Sequence, residues 1–398
     1  MMSAPRGEEA CLRVESPAGG ECRACKRPCG GIVSSWRILK MVGEVQMGDM
    51  GLERGCFLVE RPREMDRIGV WGFGNVSRDV VVFLVDEGLG KEIVFYGRPR
   101  PDYPNRAGAW IEDLKANATR RPRLIGTNKV EDMAGLDVIF VGAGVPRREG
   151  QSRRDLLQVN TEIIAQTALE IRKLYGGCDP ERLPVLVFMG NPVTTMTWVG
   201  YKVSGFPRQK VMGQAGNLDA RRICYAVAKE LGISGNEMKG IVFGDHGDSM
   251  VVSPRFFSVG GIPLDLLLEA EGVDPSRIGA ILEQAKKGGT HFVEATGHSA
   301  SVGPAKAVGQ MLRAIISGEP EVQPVVAILE KEYGLIEPQD NIDSMGFGVP
   351  AKIGPQGVEE IYELGIQDIR EALIASAAQI KEDTRVAAKI LMEKFGIQ

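Results

Sequence analysis

With 398 residues, 43% of them apolar and 25% charged, the chain has the make-up of a globular protein long enough for two domains with cores of their own. A formal charge of −4 gives no basic footprint for nucleic acid, so no nucleic-acid partner is expected. No run of about 18 uncharged apolar residues is present, so no membrane partner is expected either.

The first 64 residues differ from the rest. They carry Cys11, Cys22, Cys25, Cys29 and Cys56, leaving only Cys178 and Cys224 for the remaining chain. They show little period-2 or period-3.6 patterning and read as a disordered extension over 1–64. Cys22-x-x-Cys25-x-x-x-Cys29 offers one close pair and no neighbouring histidine. A zinc site ordinarily uses two pairs, or a pair with histidines, so no metal is expected; a thiol switch is the other reading. A cysteine-poor body fits a cytoplasmic protein.

Patterned sequence begins near Met65. Arg67–Trp71 is a short apolar strand running into Gly72-Phe73-Gly74-Asn75-Val76-Ser77. Helical spacing follows over Asn75–Glu87, then a second strand, Glu92–Tyr96. Strand, glycine turn, helix, strand is the context in which a Gly-x-Gly-x-x-Gly pattern binds a dinucleotide. Gly72 permits the tight turn, and Gly74 with Asn75 and Val76 brings backbone close to a pyrophosphate at a helix N-terminus. Ser77 replaces the third glycine, a mild change at a packing position. NAD-specific sites place a carboxylate at the end of the second strand. Here that position is Gly97, followed by Arg98-Pro99-Arg100. Without the carboxylate a 2′-phosphate meets no repulsion, and Arg98 can grip it, so NADP(H) is expected to be preferred or tolerated over NAD(H).

Asp137–Gly142 and Pro184–Met189 are near-continuous apolar runs suited to a parallel sheet buried on both faces, with Asp155–Tyr175 helical between them. Gly142 and Asn191 would lie at strand C-terminal ends, where ligands bind in such sheets. A basic, glycine-bounded loop, Gly144–Arg153, reads as a lid at the crevice mouth.

In the second half, Asp219–Leu231 reads as a helix and Ile241–Phe243 as a strand entering Gly244-Asp245-His246-Gly247-Asp248. Gly260–Pro263 marks a tight turn, and Val349–Gly354 an extended segment. Further helices are expected over Ile278–Lys287, Ala305–Ser317 and Ile366–Phe395. His246 is one of three histidines, and the only one in such a glycine-flanked turn. A carboxylate, Asp219, that orients an imidazole beside an arginine, Arg222, that can clamp an anion would move one proton at a charged substrate.

In this order the motifs resemble the lactate and malate dehydrogenase family, from about Arg67 to the C-terminus. The resemblance implies an α/β protein: a Rossmann-type parallel-sheet domain, 65–192, followed by a mixed α/β catalytic domain, 193–398, assembled as a homodimer or homotetramer. It implies His246 as acid–base, Asp219 as its orienting carboxylate and Arg222 as the clamp on the substrate C1 carboxylate. It also implies Arg153 as the group polarising the reacting oxygen, and Asn191 beside nicotinamide and substrate. Arg147 falls where the family discriminates substrates, arginine going with malate. The expected substrate is a small dicarboxylic 2-hydroxy or 2-oxo acid. The alternatives are a lactate or other 2-hydroxy acid dehydrogenase, and a non-catalytic nucleotide-binding scaffold.

Overall fold

The computed structural model describes residues 66–118, 122–146, 153–247, 249–286 and 288–397, all within one compact unit. The expectations for the N-terminal extension and its cysteines, for Arg147 and for Asp248 lie outside the described residues. So does the side chain of Arg153.

The first half is built from β1 (Arg67–Trp71), α1 (Asn75–Glu87), β2 (Glu92–Tyr96), α2 (Arg106–Asn117), β3 (Arg123–Thr127) and β4 (Val138–Val141). It continues with α3 (Arg153–Tyr175), β5 (Val185–Phe188), α4 (Val193–Ser204) and β6 (Val211–Gly213). These strands pair in parallel in the order β3-β2-β1-β4-β5-β6, the order of two mononucleotide-binding halves meeting at a switch point.

The strands are apolar on both faces because both are covered. Ile68, Val70, Ile93, Phe95 and Phe140 pack under Val80 and Leu84 of α1 and Ile111 of α2. The alternating residues Trp71, Val94, Tyr96, Ile139 and Val141 face Leu157, Ile164 and Ile171 of α3 and Met196 and Val199 of α4. Each such side chain taken wholly from water contributes roughly 1.5–3 kcal/mol.

The second half opens with α5 (Gly216–Leu231), β7 (Met238–Gly240), β8 (Phe243–Gly244), β9 (Met250–Val251), β10 (Phe257–Val259) and β11 (Ile262–Pro263). Four helices follow: α6 (Leu264–Ala270), α7 (Pro275–Lys286), α8 (Gly288–Thr296) and α9 (Val302–Ile316). β12 (Glu321–Leu329), β13 (Met345–Gly354), β14 (Gly357–Ile361) and α10 (Arg370–Phe395) complete it. β12 joins β6 antiparallel, and β13, β8 and β9 extend the same sheet, with β14 on β13. A smaller core of Ile223, Val227, Met238, Phe257, Leu264 and Ile278 lies beneath α5 and α7.

Some boundaries differ from expectation. The strand expected at Ile241–Phe243 is Phe243–Gly244, because Phe243 and Gly244 pair with Val251 and Met250. The last helix starts at Arg370, after a turn closed by the Ile369 N–H on the Ile366 carbonyl. Among the described residues no helix is long and apolar enough to cross a membrane.

Candidate active site

The glycine turn between β1 and α1 lies against the end of β4. Gly72 has φ +113°, and a Cβ there would come within 3.0 Å of the Ala143 nitrogen and the Gly142 carbonyl carbon. Only glycine satisfies both the dihedral and the approach. Gly74 is the N-cap of α1 and offers no side-chain hydrogen bond to the first turn, while nothing lies within 4 Å of the place its Cβ would occupy. The uncapped N–H groups that follow, from Asn75 and Val76 onward, thus begin at an open backbone cradle that suits a pyrophosphate. Ser77 fills the position of the third glycine and packs against Gly142, where a Cβ would meet its Oγ at 2.3 Å. The residues therefore fit a dinucleotide.

Gly97 is buried at the end of β2. A Cβ there would lie 3.3 Å from the Ala107 Cβ and 3.4 Å from the Phe73 Cβ, so packing disfavours a carboxylate side chain at this position. Arg98 turns toward α3. Its guanidinium donates to Gln166 Oε1 at 3.4 Å and lies 3.6 Å from Glu170 Oε1.

The proton-transfer groups meet where α5 passes under the β8–β9 turn. Asp219 sits in the first turn of α5, where the helix dipole favours an anion. Its carboxylate is 2% exposed and lies 2.7 Å from His246 Nδ1, with Arg222 Nη1 3.8 Å from its other oxygen. Asp219 can only accept, so Nδ1 carries the proton and Nε2 of the neutral ring is the free base. The Asp219 charge raises the His246 pKa above its ordinary value; burial and Arg222 oppose that shift, and Asp245 adds to it.

Several side chains that fix the site lie outside the motifs. Asp245 is buried and accepts from Thr194 Oγ1 of α4 at 2.8 Å, while its backbone N–H donates to Ser376 Oγ of α10 at 3.1 Å. Gly244, at φ +85°, brings the turn so close to α10 that a Cβ would meet Ser376 Oγ at 2.4 Å. Two helices far apart in sequence thus fix the turn that carries the imidazole. Asn160 of α3, fully buried, accepts from the Val145 N–H at 2.8 Å and donates to the Asn191 carbonyl at 2.7 Å. It ties the ends of β4 and β5 together and places Asn191, joined to Pro192 by a cis peptide, at the crevice. The only sequence signal for Thr194, Ser376 and Asn160 is a short polar residue within an apolar helix face.

A dinucleotide cradle beside a carboxylate-held imidazole and an arginine defines an oxidoreductase that moves a hydride and a proton together. Family models describe the same two halves: residues 66–213 match the lactate/malate dehydrogenase NAD binding domain, and residues 216–390 the lactate/malate dehydrogenase alpha/beta C-terminal domain. A malate dehydrogenase of Bacillus subtilis is 34% identical over 316 residues, covering 79% of this chain and 95% of that protein. Among solved structures, malate dehydrogenase from Salinibacter ruber is similar with a TM-score of 0.71 at 30% identity, over 82% of this chain and 99% of that one. A Cryptosporidium parvum lactate dehydrogenase complexed with lactic acid and nicotinamide adenine dinucleotide has a TM-score of 0.71 at 26% identity, over 83% of this chain and 99% of its own. The chain belongs to the lactate/malate dehydrogenase family, and its cofactor is NAD(H) or NADP(H).

Proposed function

We propose that the protein is a malate dehydrogenase, interconverting malate and oxaloacetate with NADP(H) preferred or tolerated. The observation that carries the reading is the 2.7 Å contact between His246 and the buried Asp219, with Arg222 on the same carboxylate. The bound nicotinamide is the two-electron acceptor in one direction and the donor in the other. Nε2 of His246 takes the hydroxyl proton of malate as the C2 hydrogen leaves with its electron pair, and returns it to the carbonyl oxygen in the reverse direction. Asp219 fixes the ring tautomer and stabilises the imidazolium. Arg222 binds the substrate C1 carboxylate, and Arg153 offsets charge on the reacting oxygen. Arg147 meets the distal carboxylate, and Asn191 orients substrate against cofactor. Gly72, Gly74, Asn75, Val76, Gly97 and Gly142 hold the dinucleotide, with the dinucleotide-binding half over 65–192 and the catalytic half over 193–398. The protein works in the cytoplasm as a homodimer or homotetramer.

Initial rates with oxaloacetate and pyruvate, each with NADH and NADPH, test substrate and cofactor separately. Oxaloacetate with NADPH is expected to give the highest kcat/KM. Equal rates with pyruvate would overturn the malate reading. A large NADH advantage would overturn the cofactor preference alone.

A further inference from the structure

Among the described residues, three arginines, Arg78, Arg100 and Arg106, gather near the end of β2 with no carboxylate in an ion pair with any of them. Phe73, in the glycine turn, lies beside Gly97 and carries two of them: the Arg106 guanidinium carbon is 4.8 Å from its ring centroid and that of Arg78 is 5.6 Å. Arg106 is the first residue of α2, next to the Ala107 that touches Gly97. The Arg78 guanidinium donates to Asn75 Oδ1, and among the described residues the buried Nε–H of each arginine on the Phe73 ring has no acceptor. Arg100 stands near enough to press on the charge of Arg106, adding to the effect of its partial burial.

Like charges gathered around one aromatic ring are unfavourable unless an anion joins them. Cation–π contact holds both guanidiniums at the ring and leaves N–H donors to spare for an anion. Arg98, the nearest arginine in sequence to Gly97, is engaged with Gln166 and Glu170 on the other face of the sheet. We infer that Arg106, with Arg78 across the Phe73 ring, selects the phosphorylated cofactor by gripping the adenosine 2′-phosphate beside Gly97. The inference rests on the NADP(H) reading above and names the residues that would carry it. A phosphomonoester bears close to two charges at neutral pH and three acceptor oxygens, which suits two guanidinium edges.

Calorimetric binding of adenosine 2′,5′-bisphosphate and adenosine 5′-monophosphate to the full chain isolates the 2′-phosphate without turnover. The wild-type protein is expected to bind the bisphosphate more tightly. Arg106→Gln is expected to cut the ratio of the two affinities about 10- to 100-fold, the worth of a charge-assisted bond pair. Arg106→Lys, which keeps the charge but loses the fork, is expected to fall between. Arg98→Gln is expected to leave the ratio near its wild-type value. A ratio kept in Arg106→Gln and lost in Arg98→Gln would overturn the assignment. So would a ratio kept in Arg106→Gln and Arg78→Gln alike. A wild-type protein that binds both ligands equally would instead overturn the NADP(H) reading itself, before any variant is made.

Discussion

Replacing His246 by asparagine is expected to lower kcat for oxaloacetate reduction by about 10²–10⁴, the usual worth of a positioned acid–base group. The substitution is chosen for what it keeps. An asparagine amide can still donate to Asp219, whose carboxylate is only 2% exposed and would be costly to leave unpaired. It has no ring nitrogen to take or give a proton. The loss should therefore appear in kcat rather than in thermal stability, and substrate KM should change little because Arg222 remains in place. Steady-state rates and a melting curve on the same preparation measure both. Unchanged turnover in a folded variant would remove the imidazole from the reaction.

The second large effect concerns substrate choice. Arg147→Gln is expected to reduce the preference for oxaloacetate over pyruvate by about 10²–10⁴, measured as the ratio of the two kcat/KM values. On the proposed role of Arg147, two changes act in the same direction. The dicarboxylate loses a charge-assisted bond to its distal end. The monocarboxylate no longer closes a guanidinium into the site without an anion, a state that costs more than a neutral unpaired group. An unchanged ratio would exclude Arg147 as the discriminating residue.

What could be read in the sequence follows from how local each signal is. β1, α1 and β2 are legible to the residue because the glycine turn separates a short apolar strand from a helix closed by Gly88 at φ +67°. The Asp219 and His246 motifs are legible because each is a compact run of unusual residues, although only the fold brings them 2.7 Å apart. α2 carries only Ala107 and Ile111 as buried residues, too few for a periodic stripe. α4 is hidden for the opposite reason. Ten of its twelve residues are buried and many are β-branched, so no polar face marks the helical period. Thr194, Ser376 and Asn160 act through contacts across the fold, which no local pattern announces. Arg98 illustrates the same limit. The residue after Gly97 is the candidate that a local reading offers for a phosphate; that its guanidinium lies with α3, and that Arg106 precedes the Ala107 packed on Gly97, is visible only in the fold.

The coupling of His246 to Asp219 is tested most directly by the pH dependence of kcat/KM for oxaloacetate reduction, in the wild-type protein and in Asp219→Asn. On the proposed mechanism reduction uses the imidazolium, and the Asp219 charge raises the pKa at which that form is lost. The wild-type rate is predicted to hold at low pH and to fall only above the ordinary imidazole value of about 6.5. In Asp219→Asn the whole profile should be lower, and the fall should begin at lower pH. Identical alkaline limits in the two proteins, or a wild-type rate indifferent to pH, would contradict the account.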